Sequence, residues 1–236
     1  MNRIVFWKNL TKLHRWAGLV LCVQITLWFA SGFFMSFFDI ENVRGKHIAE
    51  KRQWPLVYET IVPMAGVLDA APQGVLSSSL ISVVGEPVYR VEYSDEVKLF
   101  NAATGQAWLA LGESHIREAA QFYYKGEADV KSLQSLSVAP IEYRGALPIW
   151  QVEYDDNAKT RLYIHPETAE LKAVRTRLWR AFDFMWMLHI MDYKNRDNIN
   201  LWWLKLFSGA ALLFALSGVA LLAHKFILRP KPQKKA

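Results

Sequence analysis

The chain has 236 residues, of which 52% are hydrophobic and 10 are Trp, an apolar composition for a soluble protein of one or two domains. The formal net charge is +6, but the excess of basic residues lies beside two long apolar runs. A groove for nucleic acid is therefore not expected. The single cysteine, Cys22, excludes a disulfide framework and a cysteine-based metal site.

The distribution of charge predicts how the chain crosses a membrane. Residues 1–38 carry four Lys/Arg and no acid, and residues 224–236 carry five and no acid. All 22 Asp/Glu lie in residues 39–200, against 18 Lys/Arg. By the positive-inside rule, both termini are expected in the cytoplasm and residues 39–200 in the periplasm of a bacterial inner membrane. Membrane lipid is an expected partner, and anionic lipid is the expected neighbour of the basic tail Lys225–Lys235.

Transmembrane helix 1 is predicted at residues 16–38, after a cytoplasmic N-terminus at residues 1–15. The run from Ala17 to Phe38 contains 22 residues without a charge, enough at about 1.5 Å per residue to cross a hydrocarbon core of about 30 Å. A cleaved signal peptide is the alternative, but its apolar core would have only about 7–15 residues. We therefore expect an uncleaved anchor.

A histidine stands at the start of this run. His14 is flanked by Lys12 and Arg15 and is followed by Trp16, a residue type that is enriched at headgroup depth. Gly18 comes one helical turn later and leaves room beside the imidazole for a flat group. The first span is thus a membrane helix with a histidine at its cytoplasmic end.

The middle of the chain contains an internal repeat. Pro87–Tyr93 aligns with Pro148–Tyr154, and a second strand follows each copy after an acidic turn, at Val97–Asn101 and Arg161–His165. Alternation of apolar and polar residues between turn formers is typical of hairpins. Helices are predicted before the two hairpins, at Leu56–Ala70 and Glu113–Tyr124.

The repeat predicts two tandem helix-plus-sheet units. We place the first at residues 54–110 and the second at residues 111–174, after a linker at residues 39–53. Residues 175–200 then form a juxtamembrane helix with a polar link. One face of that helix is aromatic and includes Trp179, Phe182, Trp186 and His189.

Transmembrane helix 2 is predicted at residues 201–224, before a basic cytoplasmic tail at residues 225–236. Its one interior charge, Lys205, can extend back to the interface. Ser217-Gly218 repeats the Ser31-Gly32 pair of the first span, and small residues of this kind let membrane helices approach closely. The predicted fold class is an α+β membrane protein, with two transmembrane helices that flank two helix-plus-antiparallel-sheet units.

Several short motifs, in this order, resemble the PepSY-associated transmembrane proteins. The residues that carry the resemblance are His14-Arg15-Trp16-Ala17-Gly18-Leu19, Ser31-Gly32, Leu188-His189 and Ser217-Gly218, with Thr104-Gly105 and Thr168-Ala169 in the turns of two PepSY-like units. The resemblance covers nearly the whole chain.

Some members of that family are haem-containing inner-membrane ferric reductases that serve iron uptake, often with four or more spans. The resemblance therefore implies haem b as cofactor and ferric iron or a ferric chelate as substrate. Because this chain has two spans, we expect a homodimer with a four-helix membrane bundle.

The histidines themselves also indicate haem. A b-type haem in a helix bundle needs two facing imidazoles, apolar walls and cations for its propionates. The predicted cofactor-binding residues are the histidines at helix–membrane boundaries, His14, His189 and His224. A further candidate is His47, whereas His115 and His165 are expected to be a solvated residue and a turn residue. Propionates could be held by Arg15 and Lys225, or by Arg177 and Arg180.

Two pairings of these histidines are open. In a dimer with its two-fold axis along the membrane normal, His14 could face its own copy on the inner side and His189 its own copy on the outer side. Alternatively, His14 pairs with His224, since both lie at the cytoplasmic boundary, and His189 stays free.

The source of electrons is not encoded in any recognisable motif. The sequence contains no dinucleotide fingerprint, so a quinol or a separate cytoplasmic reductase is the expected donor. The leading hypothesis is electron transfer across the membrane to ferric iron. The alternatives are a non-enzymatic, membrane-tethered PepSY module that binds or restrains a partner, and an accessory subunit of a transporter.

Overall fold

The computed structural model describes residues 3–69 and 74–228 of the chain. It divides into two compact units, residues 1–38 with 181–236 and residues 39–180. We call them the helical unit and the sheet unit. Most of the predicted basic tail, including Lys235, lies outside the described residues, and so does the end of the predicted helix at Ala70.

The described residues form six α-helices and seven strands. The helices are α1 (Arg3–Phe37), α2 (Ile40–Val43), α3 (Met64–Asp69), α4 (Glu113–Tyr123), α5 (Arg177–Ile190) and α6 (Trp202–Ala223), and α6 continues as a π-helical turn, His224–Leu228. The strands are β1 (Ser77–Val83), β2 (Glu86–Glu92), β3 (Val97–Asn101), β4 (Val130–Leu136), β5 (Ile149–Tyr154), β6 (Arg161–Ile164) and β7 (Leu171–Arg175).

The helical unit contains both apolar runs. Two helices, Ile4–Phe37 and Trp202–Ile227, are long and apolar enough to cross a membrane. They lie antiparallel, because Trp7, His14 and Gly18 contact His224, Ser217 and Phe214 respectively. Helix α1 begins well before the predicted boundary at residue 16, since no proline or glycine interrupts residues 3–15.

The sheet unit contains two antiparallel sheets, with strand orders β1-β2-β3 and β4-β5-β6-β7. The two predicted hairpins are observed as the pairs β2–β3 and β5–β6. Strands β1, β4 and β7 were not predicted. Because their sequences mix serine, lysine and apolar residues without regular alternation, the period-2 signal is weak in them.

The helices before the two sheets differ in length. Helix α4 matches its prediction to within one residue, but α3 covers only Met64–Asp69 instead of starting at Leu56. The prediction was wrong there because Pro63 disfavours helical geometry at the residue before it. The helix therefore begins directly after the proline.

One hydrophobic core joins both predicted helix-plus-sheet units. It contains Val88 and Leu99 from the first, and Ile116 and Leu162 from the second. Ala49, within the predicted linker, belongs to the same core and forms a bridge with Tyr124. The linker is therefore part of the sheet unit, and the three-stranded sheet buries its apolar face against the four-stranded half.

A buried carboxylate connects the start of α5 to the four-stranded sheet. Glu142 accepts hydrogen bonds from Arg180 Nε (2.7 Å), Tyr163 Oη (2.8 Å) and Arg161 Nη1 (3.1 Å). Burial alone would raise the pKa of Glu142, but these hydrogen bonds outweigh it and lower that pKa below its usual value. Arg180, a predicted propionate ligand, is thus already paired with a carboxylate.

Candidate cofactor site

The imidazole of His14 lies between α1 and α6. Its Nδ1 atom is 2.7 Å from Oγ of Ser217. Its ring stacks on Phe214, with centroids 4.4 Å apart and planes 6° apart. A Cβ atom added at Gly218 would lie 3.2 Å from Cε1 of His14, so the missing side chain of this glycine makes room for the ring.

The flat group beside Gly18 is supplied by the chain itself. A Cβ atom added at Gly18 would lie 3.1 Å from Cε2 of Phe214. The phenyl ring of Phe214 therefore fills the space that the sequence predicted beside the imidazole. This ring contacts His14 and lies beside Gly18 of α1.

His189 has a similar environment at the end of α5. Its Nδ1 atom is 3.0 Å from Oγ of Ser31, a fully buried residue of α1. A Cβ atom added at Gly32 would lie 3.6 Å from Cε1 of His189. The indole N–H of Trp28 donates a hydrogen bond of 2.8 Å to the backbone carbonyl of His189, which anchors the end of α5 on α1.

Each histidine thus faces a Ser-Gly pair on a neighbouring helix. His14 of α1 faces Ser217-Gly218 of α6, and His189 of α5 faces Ser31-Gly32 of α1. Both pairs are visible in the sequence as repeated small residues, without any assignment to the histidines. The signal that could have found them is the presence of one Ser-Gly pair in each apolar run, with His14 and His189 at the boundaries of these runs.

The two histidines lie at different depths of the helical unit. Ser31, the partner of His189, comes 17 residues after His14 along α1, a rise of about 25 Å. A single iron atom cannot bind both imidazoles of one chain across this distance. The structure therefore separates the two candidates into two sites.

His224 occupies a third level. It stacks on Trp7, with ring centroids 3.9 Å apart and planes 7° apart. Since Trp7 comes seven residues before His14, these levels differ by about 10 Å along α1. Within one chain, His14 and His224 therefore do not face a common point. The Nδ1 atom of His224 is buried, with no hydrogen-bond partner among the described residues.

The other histidines lie in the sheet unit. His47 and His115 are exposed. His165 accepts hydrogen bonds at Nδ1 from the backbone N–H groups of Glu167 and Thr168, both at 3.3 Å, as expected of a turn residue. Burial lowers the pKa of His165. None of the described residues form a cluster of three or more His, Cys, Asp or Glu that could hold a metal ion.

An apolar cavity of about 900 Å³ lies in the helical unit between α1, α5 and α6. His189 and Gly32 are at one end of its lining, and Phe214 and Ala215 are at the other. The volume is within the range for cofactor and small-molecule sites. Because Phe214 also stacks on His14, the cavity extends from one histidine to the ring that contacts the other.

A cationic groove lies on a face of α1 whose lining does not include His14. It has a volume of about 550 Å³ and is lined by Lys8, Lys12, Arg15 and Trp16, among others. Arg15, the residue after His14, is thus part of this cationic face. Lys225, the other predicted cation at this end, lies 5.3 Å from the centroid of the Phe226 ring.

Two apolar helices of membrane-spanning length and two antiparallel sheets define an α+β membrane protein. The family model described as PepSY-associated TM region matches residues 11–236, and the chain belongs to this family. Comparisons with curated proteins and with solved structures gave no match.

Proposed function

We propose that this protein is a haem-b oxidoreductase of the bacterial inner membrane that passes electrons outward to ferric iron or a ferric chelate for iron uptake. The observation that carries the proposal is the pair of histidines, each beside a Ser-Gly pair, at two depths of a membrane unit with an apolar cavity. Ionisable residues at such positions in membrane helices are functional candidates by default.

The residues present fit haem b. Imidazole is a common axial ligand of haem iron, and His14 and His189 are both placed by contacts from a second helix. Gly218 and Gly32 leave space against the imidazoles that a Cβ atom would reduce. Aromatic and small residues are among those that line the cavity, and Arg15, the residue after His14, would supply a cation for a propionate.

The function requires a second copy of the chain. A bis-histidine haem needs two imidazoles, and one chain supplies only one at the level of His14 and one at the level of His189. A second chain would supply the others, and the commonest oligomer is a two-fold dimer. We infer His14 paired with its own copy on the inner side and His189 with its own copy on the outer side. The offset of about 10 Å between the levels of His14 and His224 disfavours their pairing within one chain.

The bound haems would supply one-electron transfer at the two depths. The chain orients each ring through its serine, and Trp28, Phe29 and Phe33 give the His189 end of the cavity an apolar lining. Electrons would enter from a quinol or a cytoplasmic reductase and leave on the periplasmic side. We also infer that the two sheets of the sheet unit are tandem PepSY domains in the periplasm.

A reduced-minus-oxidised spectrum of the protein from haem-replete cells tests the proposal. We expect a b-type spectrum, one haem per chain, and reduction of ferric citrate by the reduced protein. His14→Ala and His189→Ala should each remove half of the haem, whereas His115→Ala, in an exposed residue of α4, should remove none.

Two results would change the assignment. Loss of haem in His224→Ala with full retention in His189→Ala would support the His14–His224 pairing instead. A colourless wild-type protein would reject the oxidoreductase and favour the non-enzymatic binding module or the transporter subunit.

A further inference from the structure

The proton positions on the two imidazoles follow from the hydrogen bonds of the serines. A serine hydroxyl has one hydrogen to donate. Oγ of Ser217 lies 2.7 Å from the backbone carbonyl of Phe214, and a carbonyl can only accept. The hydroxyl hydrogen therefore points at that carbonyl, and Ser217 Oγ faces His14 Nδ1 as an acceptor.

Ser31 has the same arrangement. Its Oγ atom lies 2.6 Å from the carbonyl of Leu27 and 3.1 Å from that of Trp28, and 3.0 Å from His189 Nδ1. Both contacts to carbonyls use the single hydroxyl hydrogen. The remaining contact is possible only if His189 donates from Nδ1.

Both histidines are thus held as the tautomer with hydrogen on Nδ1. The lone pair of a neutral imidazole then lies on Nε2. A neutral histidine binds a metal through the nitrogen that lacks the hydrogen, and its other nitrogen usually donates to a group that fixes the tautomer and the ring orientation.

We propose that Ser217 and Ser31 are positioning residues that direct Nε2 of His14 and of His189 at haem iron. The identity of the metal group in this inference rests on the proposed function. The tautomers do not, because they follow from hydrogen bonds within the chain. The glycine after each serine completes the arrangement, since a Cβ atom there would lie 3.2 Å (Gly218) or 3.6 Å (Gly32) from Cε1 of the same ring.

Nitrogen NMR of the haem-free, ¹⁵N-histidine-labelled full chain in lipid nanodiscs tests the tautomers directly. We expect both rings of the wild type in the Nδ1–H form. Ser217→Ala should convert His14 alone to a mixture of tautomers, and Ser31→Ala should do the same for His189 alone. Ser217→Thr and Ser31→Thr retain the hydroxyl and should retain the tautomer.

Ser36→Ala is the matched control. Ser36 lies on α1, and its hydroxyl donates to the carbonyl of Phe33 at 2.9 Å, as the other two serines do to their own carbonyls. Ser36 differs from them because it is exposed and its hydrogen bond is to the backbone and not to a histidine. This substitution should change neither ring. A change in both histidines on Ser217→Ala alone or on Ser31→Ala alone would overturn the pairing of each serine with one histidine.

Haem binding supplies the second measurement. Loss of a partner that orients a metal ligand typically weakens metal binding about 10–100-fold, and we expect this for haem in each Ser→Ala variant, with rescue by threonine. In a redox titration, each substitution should shift the reduction potential of one haem and leave the other unchanged.

The outcomes separate the two proposals. Wild-type rings in the Nε2–H form, or Ser→Ala variants with unchanged tautomers and unchanged haem affinity, would overturn the role of the serines. Nδ1–H rings in a protein that binds no haem would reject the proposed function and the iron-directed part of this inference together.

Discussion

The ring of Phe214 stacks on the imidazole of His14, with centroids 4.4 Å apart, and the same ring forms a wall of the cavity that reaches His189. One side chain of α6 therefore contacts both the first candidate site and the space next to the second. Phe214 is therefore a contact that the two candidate sites share.

Substitution of Phe214 should change the His14 site first. Phe214→Leu removes a stacked ring pair that is worth about 0.5–1.5 kcal/mol and opens the cavity towards His14. We expect a shifted Soret band and weaker retention of the inner haem during purification. Phe226→Leu, in an exposed ring of the π-helical turn, is the control and should leave both unchanged. Equal spectra for the two variants would contradict the role of Phe214.

The glycines of the helical unit should tolerate alanine to different degrees. A Cβ atom at Gly218 would lie 3.2 Å from His14, one at Gly32 would lie 3.6 Å from His189, and one at Gly209 would have no neighbour within 4 Å. The first distance is too short without movement of the ring, and the second is an ordinary contact.

Haem-to-protein ratios measure this order. Gly218→Ala should lower the occupancy of the inner haem several-fold, Gly32→Ala should lower that of the outer haem little, and Gly209→Ala should have no effect. A larger loss for Gly32→Ala than for Gly218→Ala would show that the ring positions are not those described here.

The charge asymmetry predicts the topology of the chain. Reporter fusions at Glu113, in α4, and at Lys235, in the basic tail, should report opposite sides of the membrane, with Glu113 periplasmic. The reason is the concentration of Lys/Arg in residues 1–38 and 224–236. Both reporters on the same side would exclude the N-in, C-in arrangement.

Asp192 should organise the loop after α5 in a pH-dependent manner. Burial would raise the pKa of its carboxyl, but backbone N–H groups of Asn198, Asn195, Asp197 and Lys194 bind it and lower that pKa to about 2. The folded loop is therefore stabilised above the ordinary pKa of aspartate, about 3.9, and this contribution is lost as the pH falls towards 2.

Amide NMR signals of this loop measure the effect. Asp192→Asn should give at pH 6 the faster amide exchange and altered shifts that the wild type shows only at acidic pH. Asp197→Asn, which keeps the Asp192 carboxylate and changes an exposed side chain, should retain the wild-type signals. An unchanged loop in Asp192→Asn would refute the assignment.

Glu142 should stabilise the sheet unit. Glu142→Gln replaces a carboxylate that accepts from Arg180, Arg161 and Tyr163, and hydrogen bonds to a charged group are worth about 1.5–3 kcal/mol. We expect a loss of about 2–3 kcal/mol in the free energy of unfolding of the sheet unit at pH 7.

Chemical denaturation of the full chain in detergent, followed by near-ultraviolet circular dichroism, measures this loss. Because the pKa of Glu142 is lowered in the folded state, its contribution is present above the ordinary pKa of glutamate, about 4.3, and decreases as the pH falls below it. Glu118→Gln, at an exposed position of α4, should cost less than about 0.5 kcal/mol. Equal losses in the two variants would exclude a special role for Glu142.

The sequence alone determined part of the local structure of this protein, but not strands β1, β4 and β7 or the start of α3. The two apolar runs, the two hairpins around β2–β3 and β5–β6, and the helix before β4 follow from hydrophobic periodicity and turn residues, which act over a few residues. The histidines at the helix boundaries could also be selected from the sequence, because a titratable residue beside an apolar run is conspicuous.

The tertiary structure decided which groups meet. His14 and Ser217 are 203 residues apart in the chain, and Ser31 and His189 are 158 residues apart. Local periodicity carries no information about such contacts, since they depend on how antiparallel helices align when they pack. The same alignment places His224 on Trp7, away from His14, and sets Phe214 in the space beside Gly18. Backbone preferences act between residues that are close in the chain, whereas side-chain packing joins residues that are far apart in it. For this reason the sequence predicts local elements, and only the tertiary structure shows which groups meet.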